Sequence, residues 1–272
     1  MTAASRLDSA HRSWRIVRFG AVDSTNEEAR RRALAGDGDR LWIVADQQTA
    51  GRGRRGRAWI SPKGNLHASA LIIDPCPPAI AAQLGFVAGV ALTRAARDLG
   101  ATDVGLKWPN DLMCHGAKCA GILVEGVGLG GRRAACVVGV GVNSAHAPEG
   151  LGYATSCLTG ARGQAVGPGE LLERLVERFG EALDAWRAGQ AFDRIRAAWL
   201  DYALGLSERI AIQNGAGERE GVFEGIDAAG RLLIRSEHGL DTIEAADLWL
   251  APRLDALPPA VFSVSDRPEG RA

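Results

Sequence analysis

The chain changes its hydrophobic period once, near Gly205, and that change limits its fold more than any other feature. Before it, Leu171, Leu172, Leu175, Val176, Phe179, Leu183 and Trp186 recur at helical spacing. They predict an amphipathic helix over about 169–188, with Phe192, Ile195, Trp199 and Leu200 extending the helical region to about Leu204. After it come four short strand-like segments at 209–212, 221–226, 231–235 and 241–245. Their turns carry Asn214-Gly215, Ala229-Gly230 and His238-Gly239. The chain therefore reads as an α/β domain followed by a small all-β barrel or meander. The boundaries drawn from this pattern are a disordered tail over 1–15, the α/β domain over 16–205, the β module over 206–252 and a flexible tail over 253–272.

Within the first domain, Ser24 and Glu27 have capping-box spacing and predict a helix N-terminus with Ser24 as N-cap, the helix running to about Ala35. Strands are expected at 41–45, 66–73, 104–108, 120–125 and 135–142, and a long helix from Pro77-Pro78 to about Leu99. Composition removes several function classes. Lys plus Arg and Asp plus Glu are 32 each, so binding to nucleic acid through bulk charge is disfavoured, although a local basic patch is not. No run reaches the roughly 18 apolar residues of a membrane span, and residues 1–14 lack the apolar core of a signal peptide. Five cysteines without a C-x-x-C pair, and five scattered histidines, give no zinc-site spacing. Reduced thiols in a cytoplasmic protein are the expectation.

Three segments can carry chemistry. Gly51-Arg52-Gly53-Arg54-Arg55-Gly56-Arg57 sets four arginines among three glycines, a composition suited to an anion because guanidinium groups and close backbone N–H groups converge on its oxygens. A solvated basic loop, or a nonspecific RNA contact, is the equal alternative. Lys107-Trp108-Pro109-Asn110-Asp111 ends a strand at its proline, placing Asn110 and Asp111 where ligand crevices of α/β sheets form. Lys118 stands just before the next apolar strand. Only three lysines occur among the 32 basic residues, and two of them, Lys107 and Lys118, flank this stretch. An ordinary turn with a surface lysine is the plainer reading. Val138-Gly139-Val140-Gly141-Val142-Asn143 leaves one strand face bare, for tight packing or for close approach by a ligand.

Taken in order, Asp23-Ser24-Thr25-Asn26, the Gln48-to-Arg57 run, Lys107-Trp108-Pro109-Asn110-Asp111, Lys118 with Ala120-Gly121-Ile122-Leu123-Val124-Glu125, and Gly139-Val140-Gly141-Val142-Asn143 resemble the biotin protein ligases. The resemblance spans about residues 15–250; Cys119 stands where the family usually has leucine. It implies a mixed-sheet catalytic domain of the biotin/lipoate ligase type, similar to class II aminoacyl-tRNA synthetases, with a C-terminal SH3-like β-barrel. About 15 leading residues cannot hold the DNA-binding domain of the bifunctional members, so the monofunctional class is expected. The implied activity is ATP-dependent formation of biotinyl-5′-AMP, then transfer of biotin to a lysine of the biotin carboxyl carrier protein of acetyl-CoA carboxylase.

By the same resemblance Lys118, Arg54 and Arg52 are the catalytic candidates. Ser24, Thr25, Asn26, Gln48, Arg52, Gly53, Arg54, Lys118 and Gly121 are the biotin-binding candidates, and Arg54, Arg57, Trp59, Asn110, Asp111, Lys118 and Asn143 the nucleotide-binding ones. Asp111 is the candidate ligand for Mg²⁺. ATP and biotin are expected as substrates, without protein-bound zinc or haem, without DNA or membrane partners, and with a homodimer left open. A lipoate or octanoate ligase or transferase, and a noncatalytic nucleic-acid-binding protein using the Gly-Arg loop, are the alternatives.

Overall fold

Strand β3 (Leu41–Gln48) shows how the sequence builds the domain. Leu41 and Ile43 point to one face of a sheet and Trp42 and Val44 to the other, the period-two alternation of an extended chain. The computed structural model describes residues 4–7, 14–160, 163–214, 217–244 and 247–250. Eight strands form the main sheet, in the order β1 (Ala4–Leu7), β2 (Trp14–Val22), β3, β4 (Leu66–Ile73), β8 (Ala134–Val142), β7 (Ala117–Gly128), β6 (Asp111–Cys114) and β5 (Val104–Lys107). Only the β2–β3 pair is parallel, so the sheet is mixed.

One face is covered by α2 (Gln83–Asp98), α3 (Pro168–Trp186) and α4 (Phe192–Leu200), which bury Trp42, Val44, Ala68, Ala70, Val138 and Val140 in the larger core. The stripe foreseen on α3 is buried throughout, from Leu171 to Trp186. The opposite face is covered only in part. There α1 (Thr25–Leu34) sets Ala29 and Ala33 against Val17, Leu41, Ile43, Leu71, Val127, Ala135 and Val137. Further along the same face, β8 continues with Gly139 and Gly141 and β7 with Gly121 and Leu123, paired as Gly121↔Gly141 and Leu123↔Gly139. The glycines leave a floor beside α1 that no Cβ covers.

The C-terminal strands β9 (Arg209–Asn214), β10 (Gly217–Ile226), β11 (Leu232–Ser236), β12 (Gly239–Ile243) and β13 (Asp247–Leu250) form an antiparallel sheet of order β12-β11-β10-β9-β13. It is anchored to the first domain by the buried indole of Trp108, which donates to the Gly230 carbonyl at 3.1 Å.

Several expectations change. The tail expected over 1–15 contains β1, which pairs with β2, and β2 itself begins at Trp14. Residues 253–272 lie outside the described residues. The turn expected at Asp111 is the start of β6, hairpinned to β5. The capping box does not form: Ser24 is an extended N-cap without a side-chain cap bond, and Glu27 faces Arg30 and Arg52 instead. The first turn of α1 is satisfied by Gln48, whose Oε1 accepts from the Thr25 N–H at 2.8 Å.

Candidate functional site

Above the glycine floor lies a cavity of about 220 Å³. Its wall gathers Ser24, Thr25, Asn26, Gln48, Arg52, Gly53, Arg54, Arg57, Trp59, Asn110, Asp111, Lys118 and Gly121, residues drawn from six separate parts of the chain. Every candidate except Asn143 is there. Asn143 follows β8, buried and outside the cavity lining, with its Nδ2 donating to the Ser156 carbonyl at 3.3 Å.

The DSTN segment is held at both ends. Asp23 takes a two-pronged contact from Arg31 at 2.8 and 2.9 Å, and that guanidinium holds the carboxyl well below the usual carboxylate range. The next three residues, Ser24, Thr25 and Asn26, are buried. Thr25 meets Gln48 through both its N–H and its hydroxyl, at 2.8 and 3.0 Å. Asn26 donates to Glu125 at 2.6 Å. Glycine at 139 is required by Asn26, because an added Cβ would overlap its amide.

The Gly-Arg segment folds as a small hairpin. Arg52 bridges Ala58, Gly53 N–H donates to the Arg57 carbonyl at 2.7 Å, and Trp59 N–H donates to the Gly51 carbonyl at 2.9 Å. Its tip turns through left-handed Arg55 and Gly56, at φ 56° and 73°. The base needs glycine at 51, where a Cβ would lie 2.6 Å from Ser61 Oγ. The arginines then reach in different directions. Arg52 stands 3.4 Å from Glu27 and 3.7 Å from Glu125. Arg54 donates to Asn110 Oδ1 at 3.2 Å, tying the hairpin to the β5–β6 turn. Trp59 lies over the floor: an added Cβ would sit 2.6 Å from its Cε2 at Gly141 and 3.2 Å from its Cζ3 at Gly121. Its buried indole N–H has no hydrogen-bond partner among the described residues.

Lys118 reaches this face through a register shift. Asp111 pairs with Gly121 and Leu112 with Ala120, but Met113 pairs with Lys118, so Cys119 is passed over as a bulge. Without the bulge, a residue three places from Gly121 would point to the helical side of the sheet. The Lys118 backbone itself is held by the neighbouring segment. Lys118 N–H donates to Ala154 O, and Ser156 N–H to Lys118 O, both at 3.0 Å. The ammonium lies 2.7 Å from Asp111 Oδ1 and 5.6 Å from the ring centres of both Trp59 and Tyr153. Asp111 is thus already neutralised by a lysine. No group of three or more His, Cys, Asp or Glu able to hold a metal ion occurs among the described residues. The residues in place do not fit a protein-held Mg²⁺ ion.

Several residues at or behind the cavity wall carried no signal in the sequence reading. Ser61 links Gln48 to the Trp59 carbonyl, at 2.8 and 3.0 Å. Tyr153 and Leu248 line the wall, and Leu248 brings the C-terminal sheet to the site.

Residues 21–143 match the model of the Biotin/lipoate A/B protein ligase family. Over 242 residues the chain is 41% identical to the biotin–[acetyl-CoA-carboxylase] ligase of Paracoccus denitrificans, covering 84% of this chain and 97% of that protein. It is 34% identical over 226 residues to the bifunctional ligase/repressor BirA of Escherichia coli, covering 79% and 68%. Among solved structures, the biotin protein ligase of Aquifex aeolicus in complex with biotin and ATP superposes with a TM-score of 0.75 at 28% identity, over 87% of this chain and 99% of that one.

Proposed function

The chain belongs to the biotin protein ligase family, and from that premise we propose that its cavity activates biotin with ATP and passes the biotinyl group to a lysine of the biotin carboxyl carrier protein of acetyl-CoA carboxylase. In the first step a carboxylate oxygen of biotin attacks the α-phosphorus of ATP. The bond to the bridging oxygen breaks, pyrophosphate leaves and biotinyl-5′-AMP remains. In the second step the carrier lysine, as a neutral amine, attacks the acyl carbon; AMP departs with its oxygen and an amide forms. Both partners in the first step are anions, so the site has to supply positive charge before they can meet.

One observation carries this reading. Lys118, displaced onto the cavity face by the Cys119 bulge, and Arg54, folded over from the hairpin, converge on the two sides of the β5–β6 turn, at Asp111 and Asn110. In this assignment Lys118 exchanges Asp111 for the reacting oxygens, and Arg52 and Arg54 share that work. Ser24, Thr25, Asn26 and Gln48 hold the polar end of biotin, with Gly53 and Gly121 giving close backbone approach. Arg57, Trp59, Asn110 and Asp111 take the nucleotide side, Trp59 through its ring face. The order along the floor supports this division: Asn26 sits at Gly139, Trp59 at Gly141, and Lys118 and Asp111 beyond them. Mg²⁺ is assigned to the phosphates it arrives with, since the Asp111 carboxylate alone cannot hold the ion.

The five-stranded C-terminal sheet is assigned as the SH3-like barrel over 206–252, behind a catalytic unit over 16–205, and Leu248 gives it a place at the site. A lipoate or octanoate ligase and a nucleic-acid-binding protein are not favoured, because the relatives that match over most of the chain are biotin ligases. The test is ATP-dependent labelling of a carrier domain with radiolabelled biotin against excess lipoate. Labelling that survives lipoate and needs ATP supports the assignment; loss of label to lipoate overturns it.

A further inference from the structure

Ser69 stands in the middle of β4, fully buried, among Ala68, Ala70 and Leu71. A hydroxyl in that setting has to find partners or carry the cost of desolvation. Its Oγ lies 2.7 Å from Thr25 Oγ1 and 2.6 Å from Asn26 Oδ1, two residues of the cavity wall. Ser69 itself does not line the cavity. It is the centre of a continuous chain of side-chain hydrogen bonds beneath it. One arm runs through Asn26 to Glu125, and the other through Thr25, Gln48 and Ser61 to the Trp59 carbonyl.

Counting protons fixes the direction of this chain. The Glu125 carboxylate accepts from Asn26, so the Asn26 amide must turn its nitrogen to Glu125 and its oxygen to Ser69. The Ser69 hydroxyl donates, its one proton shared between Asn26 Oδ1 and Thr25 Oγ1, and Thr25 spends its own proton on Gln48 Oε1. At the far end Ser61 donates to the Trp59 carbonyl, so it accepts from Gln48 Nε2, and Gln48 Oε1 faces Thr25. In the resulting set Gln48 Oε1 already accepts twice from Thr25, and the unspent lone pair at the cavity wall lies on Thr25 Oγ1. That lone pair accepts an N–H group, which suits a cyclic urea.

We propose that Ser69 and Glu125 are positioning residues for the ring end of biotin, acting through Asn26 from opposite ends of its amide. The assignment rests on the functional reading above. Without Ser69 the amide loses the partner that holds its oxygen inward, and Thr25 loses the donor that keeps its hydroxyl turned toward Gln48. Neither residue touches the reacting atoms, so the effect falls on biotin affinity rather than on chemistry.

The experiment measures pyrophosphate release by the full chain while biotin and ATP are varied in turn. Ser69→Ala is expected to raise KM for biotin about five- to tenfold, the worth of one hydrogen bond, while KM for ATP and kcat at saturating biotin change less than about twofold. The same substitution on an Asn26→Ala background should have little further effect, because the residue it acts through is gone. An unchanged biotin KM in Ser69→Ala, or an equal rise on the Asn26→Ala background, overturns the assignment. Should Ser69→Ala fold poorly, the other end of the amide decides. Glu125→Gln, which keeps an acceptor, must raise the biotin KM less than Glu125→Met, and equal effects overturn the proposal. If the wild-type chain releases no biotin-dependent pyrophosphate, the functional reading falls first and the positioning roles fall with it. An active wild type with indifferent variants overturns these roles alone.

Discussion

The indole of Trp59 rests on the bare backbone of Gly141, so close that a Cβ at position 141 would lie 2.6 Å from Cε2. Gly141 pairs with Gly121 across β7 and β8, and the two together form the shelf on which the ring lies. The alternation of glycine and valine in β8 serves both sides of the sheet, since Val138 and Val140 are buried against the helices. Gly141→Ala should displace Trp59 and weaken nucleotide binding, raising KM for ATP about tenfold or more with a small change in melting temperature. Steady-state kinetics checks this, and an ATP KM equal to wild type would mean that the ring's place on the shelf is irrelevant.

Lys118 gives the largest expected loss. Replacing it with alanine removes one charge-assisted contact of about 1.5–3 kcal/mol, or roughly 10- to 150-fold in adenylation rate. Lys118→Arg restores charge but not the compact ammonium that fits between Asp111 and the rings of Trp59 and Tyr153, so it should rescue only in part. Rapid-quench measurement of pyrophosphate formation distinguishes these outcomes, and near-normal rates in Lys118→Ala would remove the lysine from the chemistry.

Arg54 ties the hairpin to Asn110 across 56 positions of sequence. A closed hairpin shields a labile acyl-adenylate from water. Arg54→Gly should still make biotinyl-5′-AMP but release it faster than wild type. Filter retention of labelled adenylate reads this directly, and equal retention contradicts the latch.

His67 supplies a pH signature. Its ring is buried on β4, with Nε2 3.1 Å from the Pro62 carbonyl, and burial pushes its pKa below the ordinary 6.5. Above that value folded and unfolded chains both hold a neutral ring. Below it the unfolded chain takes a proton that the folded one resists, so stability falls with falling pH. Between about pH 7.5 and 5.5 the melting temperature should drop more for wild type than for His67→Gln, by up to about 1 kcal/mol of stability. Parallel profiles would show that His67 does not carry the effect.

The residues whose chemistry is unusual for their place were legible in the sequence. Arginines among glycines, a proline-terminated strand followed by Asn110-Asp111, and the sparse lysines all announced the site before any fold was known. Residues whose role depends on register were not. Lys118 reaches the cavity because Cys119 bulges, and no residue type marks that bulge. Ser69 is one hydroxyl in an apolar strand, and its partners lie 43 and 44 positions away. Asn26 meets Glu125 across 99 positions, a pairing set by the sheet and not by local spacing. Strand β2 was missed because its later residues, from Arg18 to Val22, are exposed or half-buried and show no apolar alternation. Asn143 misled in the other direction: it follows a glycine-valine strand that does build the floor, but turns away to bond Ser156.

The most direct test of the charge-cancelling cavity needs no carrier protein. Purified chain is mixed with biotin, ATP and Mg²⁺, and pyrophosphate and biotinyl-5′-AMP are measured by rapid quench, with a parallel sample lacking biotin. The account predicts a stoichiometric burst of both products that depends on biotin and is lost in Lys118→Ala. Folded wild-type protein that yields neither product would contradict it.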